Sequence, residues 1–218
     1  MAKIGILLSG CGVNDGSEIH EAVLTMLALD RLGVERLCMA PNIEQRDVVN
    51  HLSGEAVGEV RNVLVESARI ARGEISDLAE ISAADIDAVI LPGGFGAAKN
   101  LCDFALAGDQ TVVHPEVVRL LLEMHKAKKP IGAICIAPVV LARVLGELQP
   151  EITIGNDLAT AKLLESFGAQ HQNCPVDDIV VDQCHRLVTT PAYMLGPGLR
   201  EIAVGIDKLV QQVVDMAS

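Results

Sequence analysis

Apolar residues along this chain fall into short unbroken runs, and between the runs they recur with helical spacing. Lys3–Leu8, Val34–Ala40, Asp87–Leu91 and Pro130–Ile134 read as strands buried on both faces; Ser9-Gly10, Pro41, Pro92-Gly93-Gly94 and Cys135 interrupt them. Between them, Glu18–Leu32 carries Ile19, Ala22, Val23, Met26 and Leu27 at helical spacing, with Gly33 as its stop. Further helices are predicted over Glu59–Ala71, Ala97–Ala105, His114–Lys128, Val139–Leu145, Leu158–Phe167 and Leu199–Met216. Ile152–Ile154 reads as a short strand, and Asp178–Asp182 with Arg186–Thr190 alternates as a β-hairpin. Strand–helix alternation from end to end, without linker or repeat, predicts an α/β fold. It is a single doubly wound domain over residues 1–218, its mostly parallel sheet covered by helices on both faces. Sites in such sheets lie beyond the carboxyl ends of the strands. The loops Ser9–Ser17, Pro92–Asn100 and Cys135–Pro138 follow three such ends and are expected at one edge.

Composition narrows the class of protein. Half of the residues are hydrophobic, yet there are three Phe, one Tyr and no Trp, so the core must be aliphatic and alanine-rich. A formal net charge of -12 argues against a nucleic-acid partner and against docking on an anionic membrane. No apolar run is long enough to span a bilayer, and the first residues have neither a signal-peptide core nor an Arg-rich amphipathic pattern. Six Cys without a CxxC pair or a regular framework complete the expectation of a reduced, cytoplasmic protein.

Gly132-Ala-Ile-Cys135-Ile-Ala-Pro138 carries the strongest chemical signal. A cysteine between a strand and a helix sits on a sharp turn, and the helix N-terminus favours the thiolate. Cys135 is therefore expected to have a lowered pKa and to be the first thiol alkylated; a buried cysteine serving as a small hydrophobe is the plain alternative. Glu18 and Glu21 lie one turn apart in the first helix. Glu18 suits the helix start through the dipole alone, whereas a buried Glu21 facing Cys135 would have to hold or share a proton. His20, between them, is a possible base. Gly93 and Gly94 can offer backbone N–H groups that, with that of Ile136, would form an oxyanion hole; a tight turn alone would also need glycine. Gly10-x-Gly12 is a weak dinucleotide signal, because Gly16 is wrongly spaced and Asp15 and Glu18 would repel a pyrophosphate. Cys174, Cys184 and His185 lack a fourth ligand at zinc-like spacing, so no metal or other cofactor is expected.

Four segments, Ile4–Pro41, Leu91–Asn100, Gly132–Pro138 and Val176–Met194, together resemble the ThiJ/PfpI superfamily, with its flavodoxin-like, glutamine-amidotransferase-like fold. Leu8–Glu21, Pro92–Asn100, Cys135–Pro138 and Cys174–Asp178 are similar to the motifs of its ElbB group, named for enhanced lycopene (isoprenoid) biosynthesis. The resemblance implies a glutathione-independent glyoxalase, a lyase that converts methylglyoxal or glyoxal to the 2-hydroxy acid. It implies Cys135 as nucleophile, a glutamate of the first helix as proton carrier, and a homodimer. Glu21 fits the proton carrier by its position relative to Gly33, and the loop Ser9–Ser17 leaves Glu18 open. Superfamily members with a Cys–His dyad place the His directly after the Cys or about twenty residues later, where this chain has Ile136 and Gly155-Asn-Asp157. That departure argues against hydrolase chemistry and implies slow glyoxalase turnover. It favours the alternative of a redox-sensing or regulatory protein with an oxidisable Cys135.

Overall fold

The computed structural model describes residues 2–196 and 198–217. Its strands are β1 (Lys3–Leu7), β2 (Glu35–Ala40), β3 (Val48–Val49), β4 (Ala56–Val57), β5 (Ile75–Asp77), β6 (Ala88–Leu91), β7 (Ile131–Ile134), β8 (Glu151–Ile152), β9 (Gln170–His171), β10 (Val180–Asp182) and β11 (Leu187–Thr190). Seven form one sheet in the order β10-β11-β7-β6-β1-β2-β5. Its pairings are parallel except β10 with β11, the expected hairpin, in which Val181 lies opposite Val188.

Eight α-helices are described: α1 (Ile19–Arg31), α2 (Val63–Ile70), α3 (Phe95–Lys99), α4 (Phe104–Ala107), α5 (Pro115–Lys126), α6 (Pro138–Leu145), α7 (Leu158–Ser166) and α8 (Leu199–Ala217). Alternate strand residues face opposite layers, as the pleat requires. Leu7, Val89, Leu91, Ile131 and Leu187 pack with α5 and α6, whereas Ile6, Ile90, Ile134 and Val188 pack with α1 and α8. The central strands are buried on both faces, which is why they read as unbroken apolar runs.

Local chemistry shifts several boundaries from those expected. Helix α2 starts at Val63, not Glu59, because the Asn62 side chain accepts from the Val65 N–H as an N-cap, while Arg61 pairs with Glu59 outside the helix. Helix α3 begins at Phe95, not Ala97, and ends at Lys99; the chain then turns before α4, so Ala97–Ala105 is two short helices. The strand expected over Ile152–Ile154 is found as β8, shifted to Glu151–Ile152, whereas its partner β9, the strand β5 and the hairpin β3–β4 have no counterpart in the sequence pattern.

Candidate active site

Four neighbouring parallel strands, β11, β7, β6 and β1, end at the same edge of the sheet, and their following loops meet there. The loop after β7 begins with Cys135, whose φ of 61° lies in the left-handed region that a residue with a Cβ rarely adopts. Its N–H donates to the Thr190 carbonyl at 2.9 Å, so β11 holds the turn in place. The N–H groups of Gly94 and Ile136 point at its sulfur.

Helix α1 brings Glu21 to this thiol. The Glu21 carboxyl is fully buried, shares a hydrogen bond with the Cys135 side chain, and accepts from the Gly93 N–H at 2.9 Å and the Tyr193 N–H at 3.5 Å. Burial, reinforced by the charge of Glu18, raises its pKa from 4.5 to about 8. Glu18 is the N-cap of α1: its Oε2 accepts from the Glu21 N–H at 2.7 Å, and its own N–H donates to the Gly93 carbonyl at 2.9 Å. The two glutamates are thus divided, Glu21 onto the sulfur and Glu18 onto the helix end and the wall of the cleft.

The lowered thiol pKa expected from the helix end is corrected here. Burial, then the Glu21 charge and hydrogen bond, raise the Cys135 pKa well above its ordinary value, and the Gly94 and Ile136 N–H groups only partly offset this. Desolvation outweighs the dipole because Cys135 is 8% exposed, and α6 starts only at Pro138. Iodoacetamide near neutral pH is therefore expected to reach the exposed Cys184 before Cys135; peptide mass spectrometry over a time course reads the order.

Gly93 departs from its expected role too. Its N–H is taken by Glu21, which leaves Gly94 and Ile136 as the pair of donors facing the sulfur. What Gly93 supplies is space: an added Cβ would lie 2.6 Å from the Cys135 Cβ, 2.8 Å from Glu21 Oε2 and 2.9 Å from the Ile134 carbonyl. Gly93→Ala is expected to destabilise the fold by about 1–3 kcal/mol, as overpacking does, and to lower its denaturant midpoint. His20 does not reach the thiol; its Nδ1 is 2.8 Å from the Tyr193 hydroxyl and 3.9 Å from Glu18 Oε1. Cys11 lies beside Glu66, Arg69, Asp15 and Arg61, away from Cys135. Asp15 is buried and accepts from the Val49 N–H at 2.7 Å, so the Gly-rich loop is braced by its own carboxylate.

Above Cys135 opens a cleft of about 360 Å³, walled mainly by Val13, Phe95, Ala98, Phe104, Ile136 and Met194, with Glu18 and Tyr193 at its polar side. Tyr193 and Met194 come from the loop after β11, a fourth contribution missing from the three loops expected. The signal for it was the sequence Thr190-Pro191 closing the second strand of the hairpin, which also ends in the parallel sheet. Among the described residues no group of three His, Cys, Asp or Glu is placed to hold a metal ion.

A cysteine on a left-handed strand-to-helix turn, with a buried glutamate of the first helix against it, defines a protein of the ThiJ/PfpI type with a class I glutamine-amidotransferase-like fold. Residues 12–190 match the DJ-1/PfpI family, and the chain belongs to that family. Human glutamine amidotransferase-like class 1 domain-containing protein 3, mitochondrial, is 47% identical to it over 225 residues, spanning 99% of this chain and 83% of its own length. ES1 protein, mitochondrial, of Danio rerio is 33% identical over 235 residues, spanning 99% and 86%. The crystal structure of an isoprenoid biosynthesis protein with an amidotransferase-like domain from Ehrlichia chaffeensis matches with a TM-score of 0.94 and 41% identity over 100% of both chains. Because the curated relatives are named as mitochondrial proteins, the expectation of a cytoplasmic location is withdrawn.

Proposed function

We propose that this protein is a cofactor-independent and glutathione-independent glyoxalase, turning a 2-oxoaldehyde and water into the 2-hydroxy acid. The observation that carries the reading is the buried Glu21 carboxyl hydrogen-bonded to Cys135, a proton carrier placed on a nucleophile. In the reactive form the pair holds one proton. The sulfur adds to the aldehyde carbon, and the Glu21 proton passes to the aldehyde oxygen, giving a hemithioacetal. The Gly94 and Ile136 N–H groups, which face the sulfur, would be the donors to the oxygen that gains charge. The Glu21 carboxylate then takes the proton from the first carbon, leaving an enediolate, and returns it to the second carbon, while the hydroxyl proton on the first oxygen passes to the second oxygen. The product is a thioester of the 2-hydroxy acid, one carbon oxidised and its neighbour reduced. Water cleaves that thioester and restores the thiol.

The absence of histidine from the sulfur leaves Glu21 to carry each proton, which fits slow turnover. It also sets the pH profile. The singly protonated pair forms as Glu21 ionises, so kcat/KM is expected to rise about tenfold per pH unit below about 7 and to level off near 8. Lactate formation from methylglyoxal by purified protein, followed across this range with wild type and Cys135→Ser, tests the reading. Activity that survives Cys135→Ser, or no lactate at any pH, would rule it out.

A further inference from the structure

The substrate class can be narrowed, on the glyoxalase reading above, from the walls of the cleft. At about 30 Å³ per water, a space of about 360 Å³ corresponds to roughly a dozen waters, and methylglyoxal would displace about a third of that. Aromatic residues are rare in this chain, three Phe and one Tyr. Phe95, Phe104 and Tyr193 all line this one cleft, and the remaining Phe167 meets Phe104 edge-on at 6.4 Å between ring centres. Phe95 is 49% exposed at the cleft, an apolar face that core packing does not require. No Lys or Arg is among the described residues lining the space, and its carboxylate is Glu18. Lys99, which lies 5.3 Å from the centre of the Phe95 ring, is held by Asp47 at 2.8 Å and the Asn14 carbonyl at 3.1 Å.

We infer that the preferred substrates are 2-oxoaldehydes whose ketone bears an aryl or similarly bulky apolar group. The aldehyde carbon then lies at the Cys135 sulfur and the apolar group against Phe95, Phe104 and Met194, where ring faces and edges can pack. The chemistry is unchanged: sulfur adds to the aldehyde, one hydrogen moves between the two oxygenated carbons, and water releases the acid. An apolar group buried in such a space raises kcat/KM because the gain persists into the transition state.

The test compares phenylglyoxal with methylglyoxal on the purified protein, in wild type and in Phe95→Ser. The half-exposed Phe95 can be truncated without opening the core. The expected kcat/KM ratio of phenylglyoxal to methylglyoxal is about ten or more in wild type, falling by about fivefold or more in Phe95→Ser. A wild-type ratio of one or less, or one that Phe95→Ser leaves unmoved, overturns the inference. If methylglyoxal is then still turned over through Cys135, the glyoxalase reading stands. If Cys135 turns over neither aldehyde, both fall together.

Discussion

Glu21→Gln is expected to lower kcat/KM for a 2-oxoaldehyde by about 10²–10⁴, the usual contribution of a positioned general acid/base. An amide can donate and accept hydrogen bonds but cannot carry a proton from one carbon to the next. Folding is expected to persist, since the isosteric side chain keeps an acceptor for the Gly93 N–H at 2.9 Å and loses at most the long 3.5 Å bond from Tyr193. Glu18→Gln separates the two carboxylates. Its amide oxygen can still cap Glu21, so it is expected to reduce activity far less and to move the pH profile down, because the Glu18 charge helps hold the Glu21 pKa up. Comparable loss in both variants would show that the first helix does not divide the roles as the geometry does.

The second large effect is on stability against pH. Glu21 has a folded pKa of about 8 against an ordinary 4.5, so the folded state holds its proton more tightly than the unfolded chain does. The stabilisation this represents is fully present below about pH 4.5 and is lost as pH rises toward 8. Across that window wild type is expected to lose roughly 3–5 kcal/mol that Glu21→Gln does not lose. Other groups titrate here as well: His114 and His171 have pKa values lowered by burial and act in the opposite sense. Subtracting the two proteins' urea-unfolding free energies at each pH isolates Glu21. A flat difference between pH 5 and 8 would mean that the carboxylate is solvated in the folded protein.

The central strands were legible because a strand buried on both faces has no polar side to confuse its reading. Cys135 and the pair Glu18 and Glu21 could be picked out because they lie just past a strand or in the first turn of a helix, where sequence distance translates directly into geometry; which glutamate faces the sulfur stayed open, because it depends on how the Ser9–Ser17 loop sets the start of that helix. The edge strand Ile75–Asp77 was invisible for the converse reason: it is short, half-buried and polar at two of its three residues. The sign of the Cys135 pKa shift could not be read, since it depends on how completely water is excluded by segments as distant as Tyr193. Gly93 was read as a donor to substrate; which acceptor claims its N–H is settled only when Glu21, far earlier in the chain, folds against it.

The turn at Cys135 is held by the Thr190 carbonyl, and the Glu21 carboxyl is touched by the Tyr193 N–H. Both partners come late in the chain, and β7 pairs in register with β11 and β6, again over long sequence separations. Contacts of this kind form slowly, because the intervening chain must be ordered first. During synthesis from the N-terminus, the thiol is therefore made well before the residues that brace it and complete the cleft. The reactive arrangement comes into being as one of the last acts of folding, so a truncated or stalled chain carries the cysteine without its chemistry.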